Sequence, residues 1–400
     1  MAQNAAIDRL GATGNPVFFR SQTAESVALL PQEEGAVRLV TRSLGGMQKE
    51  ALVASASAGA VWRLASDEGA YLAGLDAAPC PLSFFTVGMV SELHAGILRL
   101  GEAAGIALRG LRLTLDSYYT MRGSALQGTM LGGARDARLT VQAPGPAASA
   151  EILLGLAHDA AQSSAIARLA REQIDNRFAL SCNAINVPVS ELQQGTDQET
   201  SADGAVFEHA QPAGGDWSAL IVRGGLTPRA PHTSTLAGGS LAPDQDRLLH
   251  VRGVSSLREV GLLQVEQWLF NPHGSMFSFV CDARPGKSRG TNAPDPWTYA
   301  AAGMAFCFMT QFGRYAQIAR LPLEDCRLVQ GMRFAEGQPA NPVETAVRLR
   351  GGFTVEQGAA QLRMAERTCF LHALCRSSVR IRLAAREWSE EPPEPSGAPG

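Results

Sequence analysis

The feature that most constrains the fold is a register that occurs twice in the chain. Residues 78–81 (Ala-Pro-Cys-Pro) align with residues 293–296 (Ala-Pro-Asp-Pro), and the same alignment places Gly88 on Gly303 without a gap. Both segments are surrounded by the same order of predicted elements: strands, a helix that begins at a proline, more strands and a second helix. This register indicates an internal duplication.

The predicted elements of each repeat belong to an α+β domain. In the first repeat, apolar residues at helical spacing predict a helix from Pro81 to near Gly105, since proline suits the first turn of a helix. In the second repeat, Asp295 can cap the helix that Pro296 begins. A closing helix is predicted over residues 354–376. Strands precede and follow the proline-started helix in each repeat, which favours the α+β class over alternating α/β units.

Charge and hydropathy exclude two classes of partner. The net charge of −3 comes from 35 basic and 38 acidic residues that are interspersed, so the chain has no basic field for nucleic acid. No uninterrupted apolar run reaches the roughly 18–20 residues of a membrane-spanning helix. The first twenty residues lack the order of a signal peptide. We therefore expect a soluble, cytoplasmic protein with no membrane or nucleic-acid partner.

Cysteine and histidine spacing argues against a bound metal. The seven cysteines form neither a dense disulfide framework nor a CxxC pair, and the seven histidines show no HxxxH or HxH spacing. We expect neither a metal nor a resident cofactor.

Two cysteines lie on the inward faces of predicted helices. Tyr299, Gly303 and Cys307 follow one another at four-residue spacing, and Cys369 and His372 share a face of the closing helix. A single buried cysteine is usually a small core residue. If the two faces meet, however, two thiols meet, and a thiol site becomes a functional hypothesis.

These two segments resemble a known family. The motif Pro-x4-Ala-Ala-Gly-x3-Cys, which ends at Cys307, and the segment Ala-Glu-Arg-Thr-Cys-Phe-Leu-His around Cys369 are similar to the paired helical signatures of the OsmC/Ohr family, the osmotically inducible and organic hydroperoxide resistance proteins. The resemblance covers residues ~250–385 well and ~36–180 in outline. It implies two tandem OsmC-like domains, each an antiparallel sheet around long central helices, that pair as an intramolecular pseudo-dimer.

The resemblance also implies a division of the chain. Residues 1–185 would form a first domain without the thiol pair, 186–247 a linker with loops, 248–386 a second domain with Cys307 and Cys369, and 387–400 a disordered tail. A homodimer of such pseudo-dimers is a further expectation.

The function that the resemblance implies is a thiol-dependent peroxidase for organic hydroperoxides. Cys307 would attack the peroxide and Cys369 would resolve the sulfenic acid as a disulfide, which an external dithiol would then reduce. Family members hold the thiolate with an arginine, and we expect Arg258 to serve in this role. The alternatives are Arg252, Arg284 and Arg289. Apolar side chains beside the thiols favour a small hydrophobic substrate.

Two departures from the family leave alternatives open. Trp297 follows the helix-starting proline, where the Ohr branch has a glutamate, so either the OsmC-branch arrangement applies or the site is retuned. In the first repeat, Glu92 occupies the position of Cys307, and no thiol is found near residues 163–165. Glu92 is then either a satisfied buried carboxylate or the general base of a hydrolase or lyase that acts on a small hydrophobic substrate. A binding protein without turnover is the third hypothesis.

Overall fold

The structure is a computed structural model, and it describes residues 7–12, 14–125, 127–145, 149–197, 205–229, 245–259, 261–284, 290, 292–334, 341–395 and 397–398. In this part of the chain the helices are α1 (Ala24–Val27), α2 (Pro81–Ala103), α3 (Ala150–Ser163), α4 (Ala165–Arg171), α5 (Val206–His209), α6 (Pro296–Ala319), α7 (Val355–Thr368) and α8 (Phe370–Arg376). The strands are β1 (Phe19–Ser21), β2 (Ala36–Gly45), β3 (Gln48–Ser55), β4 (Ala60–Ser66), β5 (Arg112–Gly123), β6 (Leu131–Gln142), β7 (Asn176–Cys182), β8 (Ile185–Val187), β9 (Gln193–Gln194), β10 (Ile221–Leu226), β11 (Gln245–Glu259), β12 (Leu262–Asn271), β13 (Ser275–Asp282), β14 (Leu323–Arg333), β15 (Val343–Gly351) and β16 (Ile381–Ala385).

The protein is an α+β fold, as predicted. The first half runs β2-β3-β4-α2-β5-β6-α3-α4-β7, and the second runs β11-β12-β13-α6-β14-β15-α7-α8-β16. The two halves therefore repeat one order of elements. The proline-started helices begin where the sequence predicted.

Each of the two sheets combines strands from both halves. The first has the order β1-β4-β3-β2-β14-β15-β7-β8, and the second has the order β10-β13-β12-β11-β5-β6-β16. β14 pairs with β2, and β11 pairs with β5, so the halves exchange strands. The expectation of one antiparallel sheet per half was wrong, because β7 lies parallel to β15 and β16 lies parallel to β6. Both sheets are mixed.

Helices α2 and α6 cross at two glycines that are equivalent in the duplicated register. A Cβ atom on Gly88 would lie 2.6 Å from the carbonyl oxygen of Pro296, and one on Gly303 would lie 2.9 Å from that of Pro81. Pro81 and Pro296 are themselves equivalent, so each glycine faces the first turn of the other helix. Only glycine permits this approach of backbone to backbone.

A single large hydrophobic cluster occupies the space between the sheets. Helix α6 packs on β2, β3 and β14, whereas α2 packs on β5, β11 and β12. Phe84 of α2 lies between Phe279 and Phe306, with ring centroids 5.5 and 5.3 Å away. Because this cluster takes side chains from both halves, the halves share one core.

Helix α2 is long and apolar enough to cross a membrane by length and composition, although its sequence is not an uninterrupted run of apolar residues. Its mean hydropathy is 1.2 over the best window, and 83% of that window is buried inside the protein. No other helix in the described ranges meets these criteria. Burial between α6 and the second sheet is the environment of a core helix in a soluble protein.

The predicted linker and tail contain ordered contacts. Within 186–247, β10 pairs with β13 at the edge of the second sheet; residues 198–204 and 230–244 lie outside the described residues. The tail has no regular structure, but Arg112 donates to the carbonyl of Ser389 and Arg252 to that of Pro393. Ser389 and Pro393 of the tail therefore contact strands β5 and β11 of the second sheet.

The helix crossing predicts a large difference between two glycine substitutions. Gly303→Ala places a methyl group against backbone atoms of α2, so the free energy of unfolding should fall by about 1–3 kcal/mol. Gly155→Ala on α3, where the new methyl group meets no atom within 4 Å, should raise it by about 0.5–1 kcal/mol through helix propensity. Chemical denaturation measures both values. Equal stability of the two variants would contradict the close crossing.

Candidate active site

Cys307 is held in the middle of α6, whose start is fixed by the predicted cap. The carboxylate of Asp295 accepts a hydrogen bond from the backbone N–H of Thr298 at 2.6 Å. Ser55 of β3 donates its hydroxyl to the same carboxylate at 3.0 Å. A strand of the first half thus anchors the helix that carries the second half's thiol.

Cys369 lies at a break between two helices. The predicted closing helix is divided into α7 and α8, and Cys369 adopts an extended conformation between them (φ −69°, ψ 118°). The preceding residue, Thr368, donates its hydroxyl to the carbonyl of Met364 at 2.7 Å, and a bond of this kind bends helices. The prediction of one continuous helix was wrong here.

The two helices bring the thiols into contact. The Cys369 thiol donates to the sulfur of Cys307, and the sulfur atoms are 3.4 Å apart. Cys369 is fully buried and Cys307 is 2% exposed. Burial, and then the adjacent Cys307, raises the pKa of Cys369 well above its ordinary value. Cys369 therefore keeps its proton at neutral pH. A disulfide needs the sulfur atoms to approach to about 2.05 Å.

Cys307 lies on the wall of a cavity of about 480 Å³. Apolar side chains form much of the wall, among them Leu82, Met121, Leu269 and Phe370. Cys369 is not among the residues that line it. Of the two contacting thiols, a small molecule in this cavity would therefore meet that of Cys307.

Polar and charged groups occupy another part of the cavity wall. Glu68 accepts hydrogen bonds from the hydroxyls of Tyr71 and Thr310, at 2.8 and 2.9 Å. Burial, and then Glu68, raises the pKa of Tyr71, so Tyr71 stays a neutral donor. Arg247 and Arg314 line the same cavity. Arg314 comes seven residues, or about two turns, after Cys307 on the same helix. The sequence alone could therefore have placed Arg314 on the face that carries Cys307.

The arginines considered for the thiolate lie elsewhere. Arg258 is exposed near the end of β11 and does not line the cavity. Arg252 is buried and binds both carboxylate oxygens of Asp116, at 2.8 and 2.9 Å. Arg284 binds Asp282, and Arg289 lies outside the described residues. The cavity's arginines are instead Arg229, which follows β10, Arg247 at the start of β11 and Arg314 in the second half of α6.

A second thiol on the cavity wall, that of Cys80, is held in its protonated form. Cys80 caps α2, and its sulfur lies 3.1 Å from the hydroxyl oxygen of Ser83. Burial, and then Glu68, raises the pKa of Cys80 to about 12. Cys80 shares the cavity with Cys307 but not the neighbouring thiol.

In the first half, a hydrogen-bonded carboxylate replaces the thiol pair. Ser164 occupies the break between α3 and α4, as Cys369 does between α7 and α8. Its hydroxyl donates to Glu92, which also accepts the backbone N–H of Ile166 at 2.9 Å and the indole N–H of Trp297 at 2.6 Å. Glu92 is 6% exposed and does not line the cavity. These contacts favour a structural carboxylate over a general base. Trp297, which departs from the Ohr pattern, is its partner from the other half.

No group of three histidine, cysteine or carboxylate side chains in the described ranges is placed to hold a metal ion.

The chain was compared with protein-family models, with curated proteins and with solved structures, and none of the three comparisons gives a match.

The Glu92 contacts predict a structural phenotype. Glu92→Gln places an amide NH₂ against hydrogen-bond donors, so the free energy of unfolding should fall by about 1–3 kcal/mol. Glu102→Gln, on the exposed face of the same helix, should change it little. Denaturation curves give both values, and oxidation of Cys307 should proceed at an unchanged rate in each variant. Full stability combined with loss of a hydrolytic activity would instead support the general base.

Two buried histidines predict a loss of stability in acid. Burial lowers the pKa of His94 and of His372 to about 3, whereas an unfolded histidine titrates near pH 6.5. The unfolded chain therefore binds more protons between these pH values, and stability is lost as the pH falls below about 6.5. Each histidine contributes about 1.4 kcal/mol per pH unit.

His372→Phe should reduce this slope between pH 6 and pH 4 by about 1.4 kcal/mol per pH unit. The new ring would occupy the aromatic site beside Phe308, whose ring centroid is 4.4 Å from that of His372. The exposed His158 provides the control: His158→Gln should leave the slope as it is. An identical slope in all three proteins would show that His372 is protonated in the folded state.

Proposed function

We propose that the protein is a thiol-dependent peroxidase that reduces organic hydroperoxides. The observation that carries the proposal is the contact between Cys307 and Cys369, with sulfur atoms 3.4 Å apart, at a cavity that Cys307 lines and Cys369 does not. The resemblance of the two helical segments to the OsmC/Ohr family supports the same reaction. A cytoplasmic dithiol would be the reductant.

The proposed reaction begins at Cys307. Its thiolate attacks the distal peroxide oxygen, so that an S–O bond forms, the O–O bond breaks and the alkoxide leaves as an alcohol after taking a proton. The sulfur of Cys369 then attacks the resulting sulfenic acid; the S–S bond forms and water leaves. An external dithiol reduces the disulfide by thiol–disulfide exchange.

The surroundings of the two sulfur atoms support this division of roles. Cys307 lines the cavity and accepts the hydrogen bond, whereas Cys369 is sealed from the cavity and keeps its proton because burial raises its pKa. A resolving thiol must react only after the first step and must already be in contact. Cys369 satisfies both conditions.

The proposed fold family is a tandem OsmC-like pseudo-dimer with one thiol site. The repeated element order, the exchange of strands between the halves and the reciprocal contacts of Gly88 and Gly303 support this assignment. In the other half, Glu92 would serve as a structural group. The cavity at Cys307 would then be the active site.

The division of roles predicts opposite outcomes for the two cysteine variants. Cys369→Ser should still react with cumene hydroperoxide but should accumulate a sulfenic acid at Cys307, which dimedone traps and mass spectrometry detects. Cys307→Ser should give no dimedone adduct and should lose at least 99% of the peroxide-consumption rate, because the nucleophile is absent.

Cys80→Ser is the matched control, because Cys80 shares the cavity but is held as a thiol. It should consume peroxide at the wild-type rate. A dimedone adduct on Cys369 instead of Cys307 would reverse the assigned roles of the two cysteines. An adduct on Cys80 would show that neither of them attacks the peroxide.

A further inference from the structure

The cavity at Cys307 contains a buried cation with unpaired hydrogen-bond donors. Arg314 is only 7% exposed, yet its Nε and Nη2 atoms have no hydrogen-bond partner, and the buried Nη2 of Arg247 also has none. Buried guanidinium groups normally bind a carboxylate or carbonyl oxygen, because an unpaired buried donor costs free energy. Within the described residues, these donors lack such a group.

The two arginines also repel each other. Burial, and then the charge of Arg247, lowers the pKa of Arg314 to about 10, and burial lowers that of Arg247. Glu68 partly offsets this effect, but its oxygens already accept hydrogen bonds from Tyr71 and Thr310. Two like charges in one cavity are stabilised when an anion lies between them.

The charge of the cavity wall and the shape of the donors define the class of anion. The described charged residues of the wall are three arginines (229, 247 and 314) and two carboxylates (Glu68 and Asp246). Both carboxylates have a cation outside the wall, since Lys49 lies 3.7 Å from Glu68 and Arg122 lies 3.3 Å from Asp246. The wall therefore attracts an anion, and the planar guanidinium fork matches the two oxygens of a carboxylate.

The rest of the cavity determines what the carboxylate is attached to. Met121, Leu269 and Phe370 form an apolar wall that also borders Cys307. Arg314 lies seven residues beyond Cys307 on α6, which is about 10 Å along the helix axis. A ligand held by Arg314 would therefore place its apolar body against this wall and toward the sulfur of Cys307.

From these observations we infer that Arg247 and Arg314 form a subsite for the carboxylate of an amphiphilic monocarboxylic acid, whose apolar body extends toward Cys307. If the proposed peroxidase function holds, on which this part of the inference rests, the preferred substrate is a hydroperoxide that carries a carboxylate within about 10 Å of its peroxide group.

Binding of a non-reactive acid tests the subsite without any turnover. Isothermal titration of the reduced full-length protein should show that decanoate binds about ten- to a hundred-fold more tightly than decanol, as expected for a charge-assisted bidentate contact. In Arg314→Met the preference should fall below about three-fold. The exposed Arg367→Met on α7 is the control and should keep the wild-type preference.

The Arg314 variant should remain folded, because it removes an unpaired buried charge; its thermal midpoint should equal or exceed that of the wild type. Arg247→Met, a change at a half-buried strand position, provides a second test and should also reduce the preference for decanoate. Equal binding of decanoate and decanol by the wild type, tighter binding of decyl phosphate, or a preference that survives in both variants would overturn the inference.

A kinetic comparison separates this inference from the proposed function. The disulfide should form about ten-fold faster or more with the 9-hydroperoxide of linoleic acid than with its methyl ester, and Arg314→Met should abolish the difference. If both peroxides oxidise Cys307 at one rate, the subsite inference fails and the peroxidase stands. If neither oxidises it while decanoate still binds through Arg314, the peroxidase fails and the subsite stands.

Discussion

The contact between α2 and α6 at Gly88 and Gly303 is the interaction on which the rest of the structure depends. Each glycine faces the first turn of the opposite helix at backbone distance, so the two helices form the centre of one shared core. The strands then pair across the halves, β14 with β2 and β11 with β5. Each sheet thus contains strands of both halves, and the helix that carries Cys307 is anchored by a residue of the first half, Ser55.

The same geometry produces two different sites in equivalent positions. In one half, Cys307 and Cys369 meet at a helix break beside a cavity; in the other, Glu92 and Ser164 meet at the corresponding break and bind Trp297. The carboxylate is satisfied by three donors and does not line the cavity. Of the thiol pair, Cys307 borders the cavity, whose wall also carries arginine donors without hydrogen-bond partners. The two sites thus occupy equivalent positions in the two halves, but only the site with Cys307 is open to the cavity.

The parts of this structure that could be predicted from sequence are local. The proline at the start of α6, the Asp295 cap and the face that carries Gly303 and Cys307 depend on residues a few positions apart. The exchange of strands could not be predicted in this way, because it depends on pairing between residues far apart in the sequence, such as Arg327 with Arg42 and Gln245 with Gly123. The break at Cys369 follows from a side-chain bond of Thr368 that no periodicity reveals. Arg247 was missed because it reaches the cavity from a different element than Cys307.

The account rests on Cys307 and Cys369 as the reacting pair among seven buried cysteines, all of which are free thiols in the structure. Peptide mapping of the reduced wild-type protein after one equivalent of cumene hydroperoxide tests this directly. The account predicts one new disulfide, between Cys307 and Cys369, with the other five cysteines still available to alkylation. Seven alkylated cysteines after exposure to peroxide, or a disulfide that omits Cys307, would contradict it.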